Sequence, residues 1–178
     1  MESSAGIGTT IVDDGQIDSM IFPVGWVAGE PAENPGIGSR WFREVYREDS
    51  PETSICFFYR GLPVADGPAA AFKGVLARPP HALSDDELHS LSRILEHKTP
   101  LNSELFEMTS ARTEDWNGKT VMVIEGQYKE SDDRIFEIYV DADGSGRFVQ
   151  EIFYQAPDEQ FSQHAEDARS ALQSVKWK

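Results

Sequence analysis

The sequence predicts an α+β protein, an antiparallel β-sheet of about six strands packed by helices. Three observations carry this. Residues 117–154 contain three apolar runs joined by two polar turns, the pattern of an antiparallel meander. After Pro157 the apolar residues change to a helical period, Phe161, Ala165, Ala168 and Leu172. Ser84-Asp85-Asp86-Glu87 is a capping box, which marks the start of a second helix. With 178 residues, 39% of them hydrophobic, ten Phe, five Tyr and four Trp, the chain has enough apolar surface for one sizeable core. Residues 20–178 therefore read as a single domain, preceded by a flexible or edge-strand arm, residues 1–19.

Each element has its own local reason. In the arm only Ile11, Val12 and Ile17 are candidate strand residues. Residues 20–27 form a short extended segment in which Pro23 rules out a central ladder position and Trp26 is a large apolar anchor. Pro31, Pro35, Gly36 and Gly38 make residues 30–39 a loop. Residues 41–47 and 54–60 read as strands joined by Glu48-Asp49-Ser50-Pro51-Glu52, the second apolar on both faces at Ile55 to Tyr59 and so deeply buried. Phe72, Val75 and Leu76 give a short helix over residues 69–77, which Pro79 and Pro80 end. From the capping box, Leu88, Leu91, Ile94 and Leu95 form the buried stripe of a helix running to about Lys98. A strand over residues 105–113 follows.

Asn117-Gly118 supplies the positive φ angles of a tight turn, after which residues 120–128 are apolar on both faces, as a covered central strand is. Lys129 to Asp133 and Asp141 to Gly146 are the next turns, with strands over 135–140 and 148–154. In the tail Pro157 suits a first helical turn, Asp158 and Glu159 favour the positive end of the helix dipole, and Val175 and Trp177 close the edge of the core.

The net charge of -15 comes from 31 acidic and 16 basic residues. The acids are spread along the chain, and only residues 41–80 are neutral, with five of each sign. A phosphate backbone is held by clustered Lys and Arg, and no such cluster exists, so nucleic acid is not an expected partner. An anionic membrane surface is disfavoured for the same reason. The single cysteine, Cys56, excludes an internal disulfide and a Cys-rich zinc site. The first residues lack a basic region followed by an apolar run, and no stretch of about 18 apolar residues occurs. A cytoplasmic location is the expectation.

Candidate sites can be weighed by their chemistry. Asp141, Asp143 and Ser145 match the first half of a calcium loop, but the twelfth position is Ile152, not a bidentate acid, and strands flank it; a polar hairpin turn is the expected role. His89 and His97 lie about 80° apart around one helix, unlike an adjacent zinc pair, and a solvent-facing or capping role is expected for them and for His81 and His164. Cys56, between Ile55 and Phe57, reads as an inert core thiol. Paired carboxylates such as Asp85-Asp86, Asp132-Asp133 and Asp158-Glu159 sit at turns or helix starts, and no catalytic acid/base pair stands out. No catalytic residue, metal or cofactor is assigned. Trp26, Trp41, Tyr46, Phe58 and Tyr59 are candidates for a partner-binding groove, because interface cores are rich in aromatics and poor in charge.

The order of elements, with Pro23-Val24-Gly25-Trp26, Trp116-Asn117-Gly118-Lys119 and Ser174-Val175-Lys176-Trp177 at its start, middle and end, resembles the PsbP/Mog1/DcrB-like superfamily over roughly residues 20–178. The resemblance implies an α/β/α sandwich, an antiparallel sheet between helices, and a binding role without shared catalytic residues. The expectation is a non-enzymatic, acidic protein-binding module of the chaperone, immunity or accessory-factor type, its partner another protein; the acidic charge is open to two readings, a basic partner surface or simple solubility. The alternatives are a hydrolase or transferase with a carboxylate-based site, and a small-ligand or metal-ion carrier.

Overall fold

The computed structural model describes residues 8–14, 17–34, 40–58, 62–96, 98 and 103–178. In chain order the elements are β1 (Thr10–Asp14), β2 (Ile17–Ile21), β3 (Trp26–Ala28), β4 (Ala32–Asn34), β5 (Arg40–Arg47), β6 (Ser50–Phe58), β7 (Leu62–Pro63), α1 (Asp66–Leu76), α2 (Asp85–Ser90), α3 (Ser92–Leu95), β8 (Phe106–Trp116), β9 (Lys119–Tyr128), β10 (Asp133–Asp141), β11 (Phe148–Pro157), α4 (Asp158–Gln173) and β12 (Lys176–Trp177). The main sheet runs β3-β5-β6-β11-β10-β9-β8, with β4 added on β5 and β7 on β11; a small sheet runs β1-β2-β12. Every pairing is antiparallel. This is the α+β sandwich the sequence predicts.

The meander forms because its turns and its alternation agree. Asn117 and Gly118 take φ of 51° and 84°, so Trp116 pairs with Lys119 across a two-residue turn. The amide of Asn117 also donates to the carbonyls of Gln173 and Val175, at 2.7 and 2.6 Å, tying the turn to the end of α4. Successive side chains of β9 and β10 then enter opposite layers. Val121, Val123, Phe136, Ile138 and Val140 join Phe161, Ala168, Leu172, Met20 and Ile17 in one cluster, under α4 and the small sheet. Met122, Ile124, Ile135 and Tyr139 join Phe72, Val75, Leu88, Leu91, Ile94 and Leu95 in the other, under α1 to α3.

Several details differ from the sequence reading. The strand expected over 54–60 already starts at Ser50, which pairs with Arg47, so the turn before it shrinks to Glu48 and Asp49. The helix expected from the capping box to Lys98 breaks at Leu91, whose ψ of 1° leaves the helical range, and ends at Glu96 with φ 55°. The apolar stripe continues across that break, so periodicity could not reveal it. The extended segment 20–27 divides, because Gly25 at φ 91° turns the chain from the end of β2 into β3. Within the expected loop 30–39, Ala32–Asn34 pairs with β5. Pro157 belongs to β11, opposite Asp133, with its ψ of 144° placing it just before α4.

Candidate functional site

Trp26 is not available to a groove. Its side chain is 2% exposed, with ring centroids 6.0 Å from Phe22 and 6.4 Å from Tyr154, and it plugs the core beside α4. β3 places it there because Trp26 pairs with Arg47 at the sheet edge and its side chain falls on the inner face. Tyr46, on β5 opposite Ser54, is half-buried. Trp41 and Phe58 lie on β5 and β6, but their side chains, and the whole of Tyr59, fall outside the described residues. Of the five, the structure assigns Trp26 to the core and leaves Tyr46 half-buried, while the side chains of the other three lie outside the described residues.

The interior under α1 to α3 holds a charged group that periodicity does not reveal. Glu137, 1% exposed in mid-β10, accepts a hydrogen bond from the Tyr139 hydroxyl at 2.9 Å and pairs with Lys98 Nζ at 3.1 Å through the same Oε2. Its Oε1 makes no hydrogen bond among the described residues. Burial works against the Lys98 charge, but the fields of Glu137, Tyr128 and Glu151 more than offset it and hold the ammonium well above its ordinary range. Burial pushes the Tyr139 hydroxyl up, and Glu137 adds to it. A lysine held charged and a phenol held neutral lock one another in place; neither is poised to move a proton near neutral pH.

The other sequence candidates are structural. Asp141 Oδ1 accepts from the amides of Gly144 and Gly146, each at 3.0 Å, and Asp143 Oδ1 accepts from the amide and hydroxyl of Ser145 at 2.9 and 2.6 Å. Both carboxylates fold the loop onto itself, a hairpin turn built around its own acids. Among the described residues no group of three or more His, Cys, Asp or Glu side chains is placed to hold a metal ion. His81 bonds the Pro79 carbonyl at 2.8 Å and Glu87 at 3.0 Å, fastening the loop before α2. His164 is buried on α4 and His89 is exposed on α2, while His97 lies outside the described residues. Burial, with Glu44 nearby, pushes the Cys56 thiol up to about 12, far from a reactive thiolate.

Topology, not spacing, creates the feature that stands out. The β5–β6 turn, the β9–β10 turn, the start of β8 and the start of α4 all lie at one end of the main sheet. They bring Glu48, Asp49, Glu52, Glu104, Glu130, Asp132, Asp158 and Glu159 together, every one exposed. Of the cations at this end, Arg47 is committed to Asp49 at 2.7 Å and Arg134 lies 3.6 Å from Asp158; Lys129 is exposed. Two exposed apolar side chains flank the row: Val24, 60% exposed, beside β3, and Leu105, 53% exposed, before β8. Those strands are the two edges of the sheet. Six inter-strand steps of about 4.8 Å make the acidic row roughly 29 Å long.

No protein-family model matches the chain, and no curated protein matches it. Solved structures do resemble it. The cyanobacterial PsbP protein (CyanoP) of Synechocystis sp. PCC 6803 superposes with a TM-score of 0.54 at 8% identity, covering 100% of this chain and 98% of that one. PA94 from Pseudomonas aeruginosa, a protein of unknown function, gives 0.52 at 13% identity, covering 90% and 91%. A protein from Bacteroides thetaiotaomicron VPI-5482 gives 0.51 at 11% identity, covering 97% of this chain and 49% of that one. The architecture is therefore the PsbP/Mog1/DcrB-like fold that the order of elements resembles, and identities this low speak to fold alone. Among the described residues no helix is long and apolar enough to cross a membrane.

Proposed function

We propose that this chain is a non-enzymatic, cytoplasmic protein-binding module of the chaperone, immunity or accessory-factor type, and that its acidic sheet end docks on a basic surface of another protein. The observation that carries this reading is the roughly 29 Å row of exposed carboxylates between Val24 and Leu105. That span matches the width of an interface burying about 800 Å² per partner. Exposed carboxylates steer a basic partner and fix its register, while the flanking apolar side chains offer area to bury.

The test is a pull-down from native lysate with the purified chain as bait, washed at low and at high salt and read by mass spectrometry. A stoichiometric partner with a basic face, lost at high salt, is the expected result, since exposed charges are screened within about 8 Å at physiological ionic strength. Turnover of a small molecule that a single substitution in this chain abolishes would overturn the reading.

A further inference from the structure

On the α4 side of the sheet a cavity of about 250 Å³ opens between β9, β10 and α4. Its floor is aromatic: Phe136, Tyr154 and Phe161 line it, each largely buried. Two guanidiniums stand over that floor. Arg134 Cζ lies 4.4 Å from the centre of the Phe161 ring, and Arg169 Cζ lies 4.3 Å from that of Phe136. In a chain with 31 acids and 16 bases, two arginines at one small cavity call for a reason.

Their ion pairs are loose. Arg134 is 3.6 Å from Asp158; Arg169 is 3.4 Å from Glu125 and 3.9 Å from Glu114. The tight partner of Glu114 and Glu125 is another residue, Arg112, at 2.6 and 2.7 Å. Among the described residues Glu125 is the one carboxylate in the cavity wall, and Arg112 compensates its charge, so it does not close the cavity to an anion. A guanidinium lying over a ring is held by its flat face and keeps edge N–H donors for a planar acceptor, for which a carboxylate is the natural match. The volume is below that of drug-sized pockets and fits one small group.

The geometry points to a binding site for a small carboxylic acid with an aromatic or apolar body, its carboxylate between Arg134 and Arg169 and its body on the Phe136–Phe161 floor. The site borders the acidic end at Arg134 and Asp158 but opens on the α4 face and selects the opposite charge, so its binding is tested without a protein partner. An acid of this kind with roughly eleven heavy atoms, at ordinary ligand efficiency, binds with a Kd of about a millimolar.

The experiment titrates the full ¹⁵N-labelled chain with 3-phenylpropionate and, separately, with the neutral 3-phenylpropionamide, following backbone amides by NMR. The expected result is saturable shifts at Glu125, Phe136, Ala165 and their neighbours with the acid, and binding weaker by about tenfold with the amide. Arg134→Gln and Arg169→Gln each weaken the acid by about tenfold and leave the amide unaffected, while a retained, dispersed spectrum shows that the variants fold. Equal binding of acid and amide, shifts mapping away from the cavity, or no cavity shift well above a millimolar overturns the proposal.

Discussion

The two ends of the main sheet use the same residue type in opposite ways. At the end holding the β8–β9 and β10–β11 turns, carboxylates are committed to the fold: Asp141 and Asp143 accept from their own loop, and Asp115 accepts from Thr120 Oγ1 at 2.7 Å. At the other end Glu48, Glu52, Glu130, Asp132 and Glu159 face solvent. The comparison teaches that an acid in a turn is structural when the loop closes on it, and available to a partner when it does not. Acids available to a partner tolerate change without loss of stability; acids that hold the fold do not.

Substitutions sharpen that contrast, beginning with the group most deeply committed to the fold. Lys98→Met strands Glu137 as a buried unpaired charge, and the cost is about 3–5 kcal/mol in urea unfolding. Adding Glu137→Leu recovers most of that loss, because the pair as a whole contributes little beyond a well-packed apolar replacement. Next, Asp141→Ala orphans the amides of Gly144 and Gly146 and costs about 1–3 kcal/mol by the same measurement. Ser84→Ala removes the cap of α2 and costs about 1 kcal/mol.

A pH dependence belongs to the same cap. The Ser84 amide, with help from His81 and Arg78, holds the Glu87 carboxyl down at about 2 against an ordinary 4.5. A depressed carboxyl stabilises the folded state fully above 4.5, and that contribution fades as the pH falls from 4.5 toward 2. Glu87→Gln removes the titrating carboxyl and flattens this part of a stability-versus-pH curve, whereas Ser84→Ala keeps the backbone amide and changes it little; an unchanged slope in Glu87→Gln would remove this carboxyl as its cause. The smallest effect on stability is at the acidic end: Glu48→Gln/Glu52→Gln/Glu130→Gln/Asp132→Asn together stay within about 0.5 kcal/mol of the parent. Asn suits position 132, where φ is 58°.

Much of the fold was legible because local chemistry and global fold agree there. Asn117-Gly118 announced its turn, Ser84 and Glu87 announced the start of α2, and Phe161, Ala168 and Leu172 marked the buried stripe of α4. What was hidden depended on distant partners. β12 is two residues long and exists only because it pairs with β2, more than a hundred residues earlier. Glu137 has the look of the polar member of an alternating strand, and it is buried only because Lys98 arrives from another part of the chain. Trp26 offered an aromatic anchor, and whether that anchor faced a partner or the core was decided by the edge it pairs with. The acids of the candidate site were visible as pairs at separate turns; only strand order gathers those turns at one end.

The most direct test of the central claim repeats the lysate pull-down with three baits: the parent chain, the acidic-end variant above, and a control with an equal charge loss elsewhere, Glu30→Gln/Asp85→Asn/Asp86→Asn/Glu166→Gln. The account predicts that parent and control retain the same stoichiometric basic partner at low salt while the acidic-end variant, still folded by circular dichroism, loses it. Equal capture by all three baits, or equal loss from both variants, would contradict it.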